Sequence, residues 1–279
     1  MPYDEGMSNP LLNQSTFEKM RERHAGEAGW AAAGSQPAGT WAPPSGTPIN
    51  DGPTTKYHGG VMTASGAASA SLILFAMLLI SAAVGWISVA EPQPGSLSFP
   101  MMAIVGAIVG FIAAIASAFK PLWSHILGPV YAVGQGLFVG AISKMYNAEY
   151  SGIVLQAVGT TLAVVGVMLF LYRTRVIRVT NRFRRIVIGA TLGLAVFYLV
   201  SMVFSIFGAN ISFFTGSGSF GILFSLFVAG LAAFNLALDF DFIEQGEQMG
   251  LPRRMEWFAA LGLLVTVVWL YLEILRLLA

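Results

Sequence analysis

The sequence predicts an all-α membrane protein: a seven-transmembrane-helix bundle preceded by a disordered N-terminal tail. Two observations carry that prediction. Of 279 residues, 56% are hydrophobic and only 10% charged, which is too apolar for a soluble domain of this size. The apolar residues are also gathered into seven runs, each near the ~20 residues that cross about 30 Å of hydrocarbon at ~1.5 Å per residue.

Residues 1–60 form the first element, a tail rich in Gly, Pro, Ser, Thr and Ala with too few large aliphatic side chains to close a core. Within it, Asn9-Pro10-Leu11-Leu12 followed by Phe17 and Met20 has the pattern of one short amphipathic turn or helix, a candidate docking segment for a membrane surface or a partner protein. The chain starts with acids rather than a basic stretch, so a cleaved signal peptide is not expected. The transmembrane domain, 61–279, holds spans at 65–89, 99–118, 125–145, 153–172, 186–208, 218–243 and 255–278. Small residues recur inside them, as in Gly106, Ala107 and Gly110 or Gly134, Gly136 and Gly140, and close helix packing accounts for such spacing.

Orientation follows from the basic residues of short links. The link between spans four and five holds Arg173, Arg175, Arg178, Arg182, Arg184 and Arg185, whereas Gly208 to Ser217 holds no charge. Lys120 and the pair Arg253 and Arg254 fall in links on the same side as the arginine cluster, and Lys144 is the one exception. The expected topology has the N-terminus in the cytoplasm and the C-terminus outside. The arginine cluster sets this topology, and it is also suited to anionic lipid head groups.

Several chemistries are excluded. With no cysteine in the chain there are no disulfides, thiolate metal sites or cysteine nucleophiles. Gly-rich phosphate loops, His-Glu zinc patterns and Gly-x-Ser-x-Gly elbows are missing, and His24, His58 and His125 are scattered. An enzyme is not expected, no cofactor is firmly implied, and nothing points to nucleic acid.

Carboxylates in the last two spans carry the functional signal, because an acid in hydrocarbon survives only when paired, hydrated or used. Asp239 and Asp241 stand near the cytoplasmic end of span six, and at about 100° per residue they point to nearly opposite sides. Asn235 shares a stripe with Asp239, which makes Asp239 the better candidate for the interior; Asp241 is also readable as an interface carboxylate. Glu244 and Glu247 fall in the following loop and are expected to be solvated. Glu256 lies in the first turn of span seven, where it complements the helix dipole. The hairpin returns it to the depth of Asp239 and Asp241, so a shared acidic site there is geometrically feasible. Glu273 sits roughly 25 Å farther along, where Arg276 offers a same-face ion pair; otherwise Glu273 is an outer binding point on the stripe of Gly262 and Thr266. Two carboxylates sharing a poorly hydrated site repel when both ionise, so such a site is a proton switch. Calcium, which takes several oxygen ligands, would compete with the proton there, with Asp239 and Glu256 the candidate ligands.

Three stretches resemble the Bax inhibitor family, also called the transmembrane BAX inhibitor motif family. They are Tyr131-Ala-Val-Gly-Gln135-Gly-Leu-Phe-Val-Gly140-Ala-Ile-Ser143, Leu238-Asp239-Phe240, and the C-terminal Leu-Tyr-Leu-Glu-Ile-Leu-Arg-Leu-Leu. Ser8-Asn9-Pro10 with Phe17, and Met255-Glu-Trp-Phe, are similar to its actinobacterial branch. The resemblance implies a bundle with a central C-terminal helix and a pH-dependent calcium leak controlled by facing acids in helices six and seven. Asp239 matches the first acid. For the second, aligning the terminal Leu-Arg-Leu-Leu brings Thr266 near the position, and aligning Leu-Tyr-Leu with its acid brings Glu273 there. Gln135 stands where many members carry Glu.

The expected function is therefore a pH-sensitive cation leak, calcium favoured, in the plasma membrane. Asp239 is the switch, Asp241 and Glu256 are auxiliary acids, Glu273 is an outer contact, and Asn235, Gln135 and Thr266 assist. The alternatives are a non-conducting regulator that binds a membrane protease or another partner through its tail, and a proton-coupled transporter. Because the chain lacks native cysteine, single cysteines at Ser8 and Ala279 test the odd number of crossings directly. In sealed vesicles an impermeant thiol reagent should label one and spare the other, and labelling of both from one side contradicts the topology.

Overall fold

The structure, a computed structural model, describes residues 60–89, 100–206 and 219–279. The tail reading for 1–60, with its Asn9 to Met20 segment, falls outside the described residues apart from Gly60, as do the first link with Glu91 and the uncharged link at 208–217.

Among the described residues, seven helices long and apolar enough to cross a membrane follow one another: α1 (Ala64–Ser88), α2 (Met101–Phe119), α3 (Ser124–Glu149), α4 (Ile153–Arg173), α5 (Asn181–Ile206), α6 (Ser219–Gln248) and α7 (Met255–Leu278). The protein is thus an all-α, multi-pass membrane protein in contact with the lipid bilayer. A 3-10 turn, Pro121–Trp123, leads into α3. Three helices differ from the expected spans by more than a terminal residue or two. α3 and α6 run on to Glu149 and Gln248, and α5 starts at Asn181, which draws Arg182, Arg184 and Arg185 out of the link and into its first turns. Each extension is polar, so the hydropathy signal ended before the helix did.

α7 is the centre of the bundle. In its most apolar window 61% of the residues are buried, against 12% for α5 at the periphery. α1, α3, α4 and α6 all pack on α7, against a core in which Leu261, Leu264, Leu270 and Leu275 are almost wholly enclosed.

The glycines explain how α1, α2 and α3 approach so closely. A Cβ on Gly136 or Gly140 would collide with the α1 backbone at Leu78 or Ala82, and one on Gly85 would strike the Leu137 carbonyl of α3. Between α2 and α3, Gly106 and Gly134 each sit against the other's carbonyl oxygen. Ser81 adds a hydrogen bond from α1 to the Val133 carbonyl of α3 (2.9 Å). Where lipid tails are as apolar as leucine, such backbone proximity supplies the attraction between helices.

Two local devices close the ends of α1. At its start, Gly60 to Met62 form a short strap on the α6–α7 hairpin. The Met62 N–H donates to the Leu251 carbonyl (2.7 Å), the Arg253 N–H donates to the Gly60 carbonyl (3.1 Å), and Met62 is completely buried. At its far end, Lys144 donates from Nζ to the Val89 carbonyl (2.7 Å). That bond explains the one lysine out of step with the charge pattern, since a cation complements a helix C-terminus.

Gly136→Leu should overpack the α1–α3 contact and destabilise the bundle by about 1–3 kcal/mol or more, read as a lower unfolding temperature in detergent. Gly159, with no atom near its missing Cβ, should accept Ala with no loss.

Candidate functional site

Asp239 is carried by α6 and points at α7. Because α6 continues to Gln248, Asp239 is nine residues, about 13 Å, from the end of its helix. It therefore lies well inside the bundle and not at the level of Glu256, and the expectation of a common depth is corrected. Its neighbours on α7 are Thr266, whose hydroxyl is within hydrogen-bonding reach of the carboxyl group, and Gly262, where a Cβ would stand 3.5 Å from Oδ1. The other oxygen, Oδ2, is shielded from the surface and has no hydrogen-bond partner among the described residues.

The Thr266 hydroxyl itself donates to the Gly262 carbonyl one turn back (3.1 Å). A hydroxyl has one proton to give. While that proton is on Gly262, Thr266 Oγ1 can only accept, and the group able to donate to it is a protonated Asp239. If Asp239 is ionised, the Thr266 proton must rotate toward it and leave the backbone carbonyl. A proton on the carboxyl group and one on the hydroxyl would together satisfy the carboxyl, the hydroxyl and the carbonyl.

The structure gives the other expected site residues different partners. Asp241 points away from Asp239, and its Oδ2 accepts from Arg184 of α5 (2.5 Å) and from Gln245 (2.8 Å). This ion pair ties α6 to the start of α5. Glu256 is buried and accepts from both the N–H and the hydroxyl of Thr63 (3.1 Å each), the residue that caps α1; Arg253 is 3.7 Å away. Gly66 has no room for a Cβ because the Glu256 carboxylate fills that space. Glu256 precedes Gly262 by six residues and Thr266 by ten, roughly 9 and 15 Å along α7. The acids of the expected shared site are thus distributed among three separate contacts, and Asp239 and Glu256 do not form one calcium ligand set. Among the described residues no group of three or more His, Cys, Asp or Glu is placed to hold a metal ion.

Asn235 is bound by Thr191 of α5 and by the Leu231 carbonyl (2.9 Å each), not by Asp239. Gln135 lies against Gly110 at the α2–α3 contact, on helices other than those that hold Asp239. Glu244 and Glu247, expected in a solvated loop, stand on the extended last turns of α6. Glu244 accepts from the Tyr172 hydroxyl and is paired with Arg175 (3.8 Å), and Glu247 accepts from the Ala64 N–H (3.1 Å).

A second polar group lies farther along the same stripe of α7. Glu273 is buried, 3.1 Å from Arg276, and accepts from the Tyr198 hydroxyl of α5 (3.2 Å). Arg276 also donates to Ser225 of α6 (2.9 Å) and to Tyr198 (3.3 Å). The ion pair expected from the three-residue spacing is present, and no local pattern marks Tyr198 and Ser225 as its partners. Trp269 stands between Thr266 and Glu273, packed on the apolar cluster of Val187, Leu194, Val228 and Leu231. The stripe Gly262, Thr266, Trp269, Glu273, Arg276 is therefore polar at both ends with an indole in the middle.

A family model described as Bax inhibitor 1 like matches residues 9–279. No curated protein matches the chain.

Removing Glu256 should loosen the junction of α1 and α7. Glu256→Ala should cost about 1–2 kcal/mol, as the loss of two part-buried hydrogen bonds to a charged group does. In a double-mutant cycle Thr63→Ala should cost less once Glu256 is gone, because only its cap bond to the Gly66 N–H is then left to lose; full additivity would show that the two side chains do not interact.

Proposed function

We propose, for a chain that belongs to the Bax inhibitor 1 like family, that this membrane protein is a pH-sensitive cation leak, with calcium the favoured ion and Asp239 the switch. The observation that supports it is Asp239 itself: a carboxyl group deep in the bundle, with Oδ2 unpartnered and a hydroxyl of the central helix within reach of the group. Every other described carboxylate of α6 and α7 already has a cation or a hydrogen-bond donor. An ionised carboxylate at such depth costs about 2.5–3.5 kcal/mol or more unless something compensates it. Asp239 is the acid left to respond to a proton or an arriving cation.

The mechanism follows from the donor balance at Thr266. With Asp239 protonated, its O–H donates to Thr266 Oγ1, Thr266 donates to Gly262, and α6 stays packed on α7. With Asp239 ionised, the negative charge needs water or a cation, and the α6–α7 contact is the one that must open to admit either. Loss of the proton thus favours the conducting state, and flux rises with pH. Thr266 takes the place of the second acid that the resemblance implies, so the device is an acid–hydroxyl pair. A cation leaving Asp239 has to pass Trp269 to reach Glu273, whose charge is balanced by Arg276. The plasma membrane is the expected location, with the arginine-rich end of the bundle in the cytoplasm and Glu273 toward the outside.

Reconstituted vesicles test this. Calcium uptake by the wild type should increase as pH is raised and exceed sodium uptake. Asp239→Asn, which keeps the shape and removes the titration, should make flux independent of pH. Thr266→Asp should restore an acid pair and shift the profile, because two carboxylates titrate as a coupled unit. A pH response unchanged in Asp239→Asn rejects the assignment. Absence of any flux favours the non-conducting regulator.

A further inference from the structure

A cavity of about 380 Å³ opens between α1 and α4, with α3 and α7 behind it. Leu79, Ala83 and Trp86 line it from α1, Val158 and Leu162 from α4, and Tyr271 from α7. The volume is at the lower end of the range that small ligands fill, about 300–1,000 Å³. Leu79 and Leu162, each 64% exposed, form its rim, so it faces the surrounding membrane.

Depth along the helices limits what can enter. Phe75, at one end of the lining, is 11 residues into α1, about 17 Å, and Trp86 is 22 residues in, about 33 Å. The cavity therefore runs from the middle of the bundle to the end away from the arginine-rich link, at hydrocarbon depth up to the level of Trp86. Its polar groups offer water little. The Ser143 and Tyr271 hydroxyls bond each other (2.7 Å), and the Thr161 hydroxyl is spent on the Ala157 carbonyl (2.7 Å). An empty space would forfeit the dispersion contacts of its whole lining. Lys144 follows the lining residue Ser143 in α3 and, outside the lining itself, holds the end of α1 through Val89, three residues beyond Trp86. An ammonium has three donors, and this bond uses one. Trp86 at the same level suits the boundary between hydrocarbon and head groups.

The geometry points to a site for one phospholipid, its acyl chain in the groove between α1 and α4 and its phosphate at Lys144. The chain lies on Val267, Val268 and Tyr271, the side of α7 turned away from the Asp239 contact, so the site stands independently of the proposed leak.

Native mass spectrometry of the full chain, delipidated by extended detergent washing and then given back a phospholipid with a photoreactive acyl chain, tests the assignment. One lipid per chain should be retained, with cross-links on Leu79, Val158 or Leu162. Ala83→Trp and Val158→Trp fill the groove from opposite walls, and whichever stays monodisperse should lose retention on the order of tenfold, as expected when a few methylenes lose their contacts. Leu72→Trp, on an outward-facing position of α1 outside the lining, should retain the lipid. Lys144→Met should lower retention while the cross-links that remain stay in the groove. Cross-links spread equally to Leu72, retention unaffected by both filling variants, or protection of the groove by a second copy of the chain would overturn the proposal.

Discussion

A desolvated carboxyl group that no cation neutralises among the described residues sets the terms for the rest of this bundle. Asp239 Oδ2 is shielded from the surface, and the group opposite its carboxyl is a threonine hydroxyl whose own proton is directed to the Gly262 carbonyl. In hydrocarbon such an arrangement is stable only while charge is kept off it or a compensating partner is brought in. The central position of α7 follows the same logic. The helix carrying Thr266 is enclosed by α1, α3, α4 and α6, which keeps water from the carboxyl group, and Gly262 allows α6 to come close at that level.

The remaining acids show what neutralisation looks like in the same fold. Asp241 has Arg184 and Gln245, Glu273 has Arg276 and Tyr198, and Glu256 accepts twice from Thr63. Each ties together helices that the apolar core alone would hold less specifically: α5 to α6, α5 and α6 to α7, and α1 to α7. Breaking such a buried pair by removing one partner is costly because the other charge stays behind. These residues accordingly pin the bundle, and under the proposed function Asp239 is the one whose partner changes.

Much of the fold was legible in the sequence because hydrocarbon imposes a length and a composition on each crossing. Seven runs predicted seven helices, and the small-residue spacings at Gly134, Gly136 and Gly140 became the α3 contacts with α1 and α2. The polar ends were not legible: α6 carries Glu244 to Gln248 as helix, and hydropathy falls before the hydrogen bonding stops. That error placed Asp239 too near the interface and grouped it with Glu256. Helical periodicity separated Asp239 from Asp241, and the three-residue spacing paired Glu273 with Arg276, since both are local rules. The partners from distant sequence, Thr63 on Glu256, Arg184 on Asp241, Tyr198 on Glu273 and Thr191 on Asn235, depend on tertiary packing and leave no periodic trace. Thr266 was reachable through the resemblance alone, by an alignment that placed it near the second acid.

The most direct measurement of the central claim is infrared difference spectroscopy of the protein in bilayers across a pH titration. A carboxylic C=O band, absent in Asp239→Asn, should be present at low pH, disappear as pH rises, and change frequency in Thr266→Val, where its hydrogen-bond acceptor is gone. A spectrum in which Asp239 is a carboxylate at every pH, or a band insensitive to Thr266, would contradict the account.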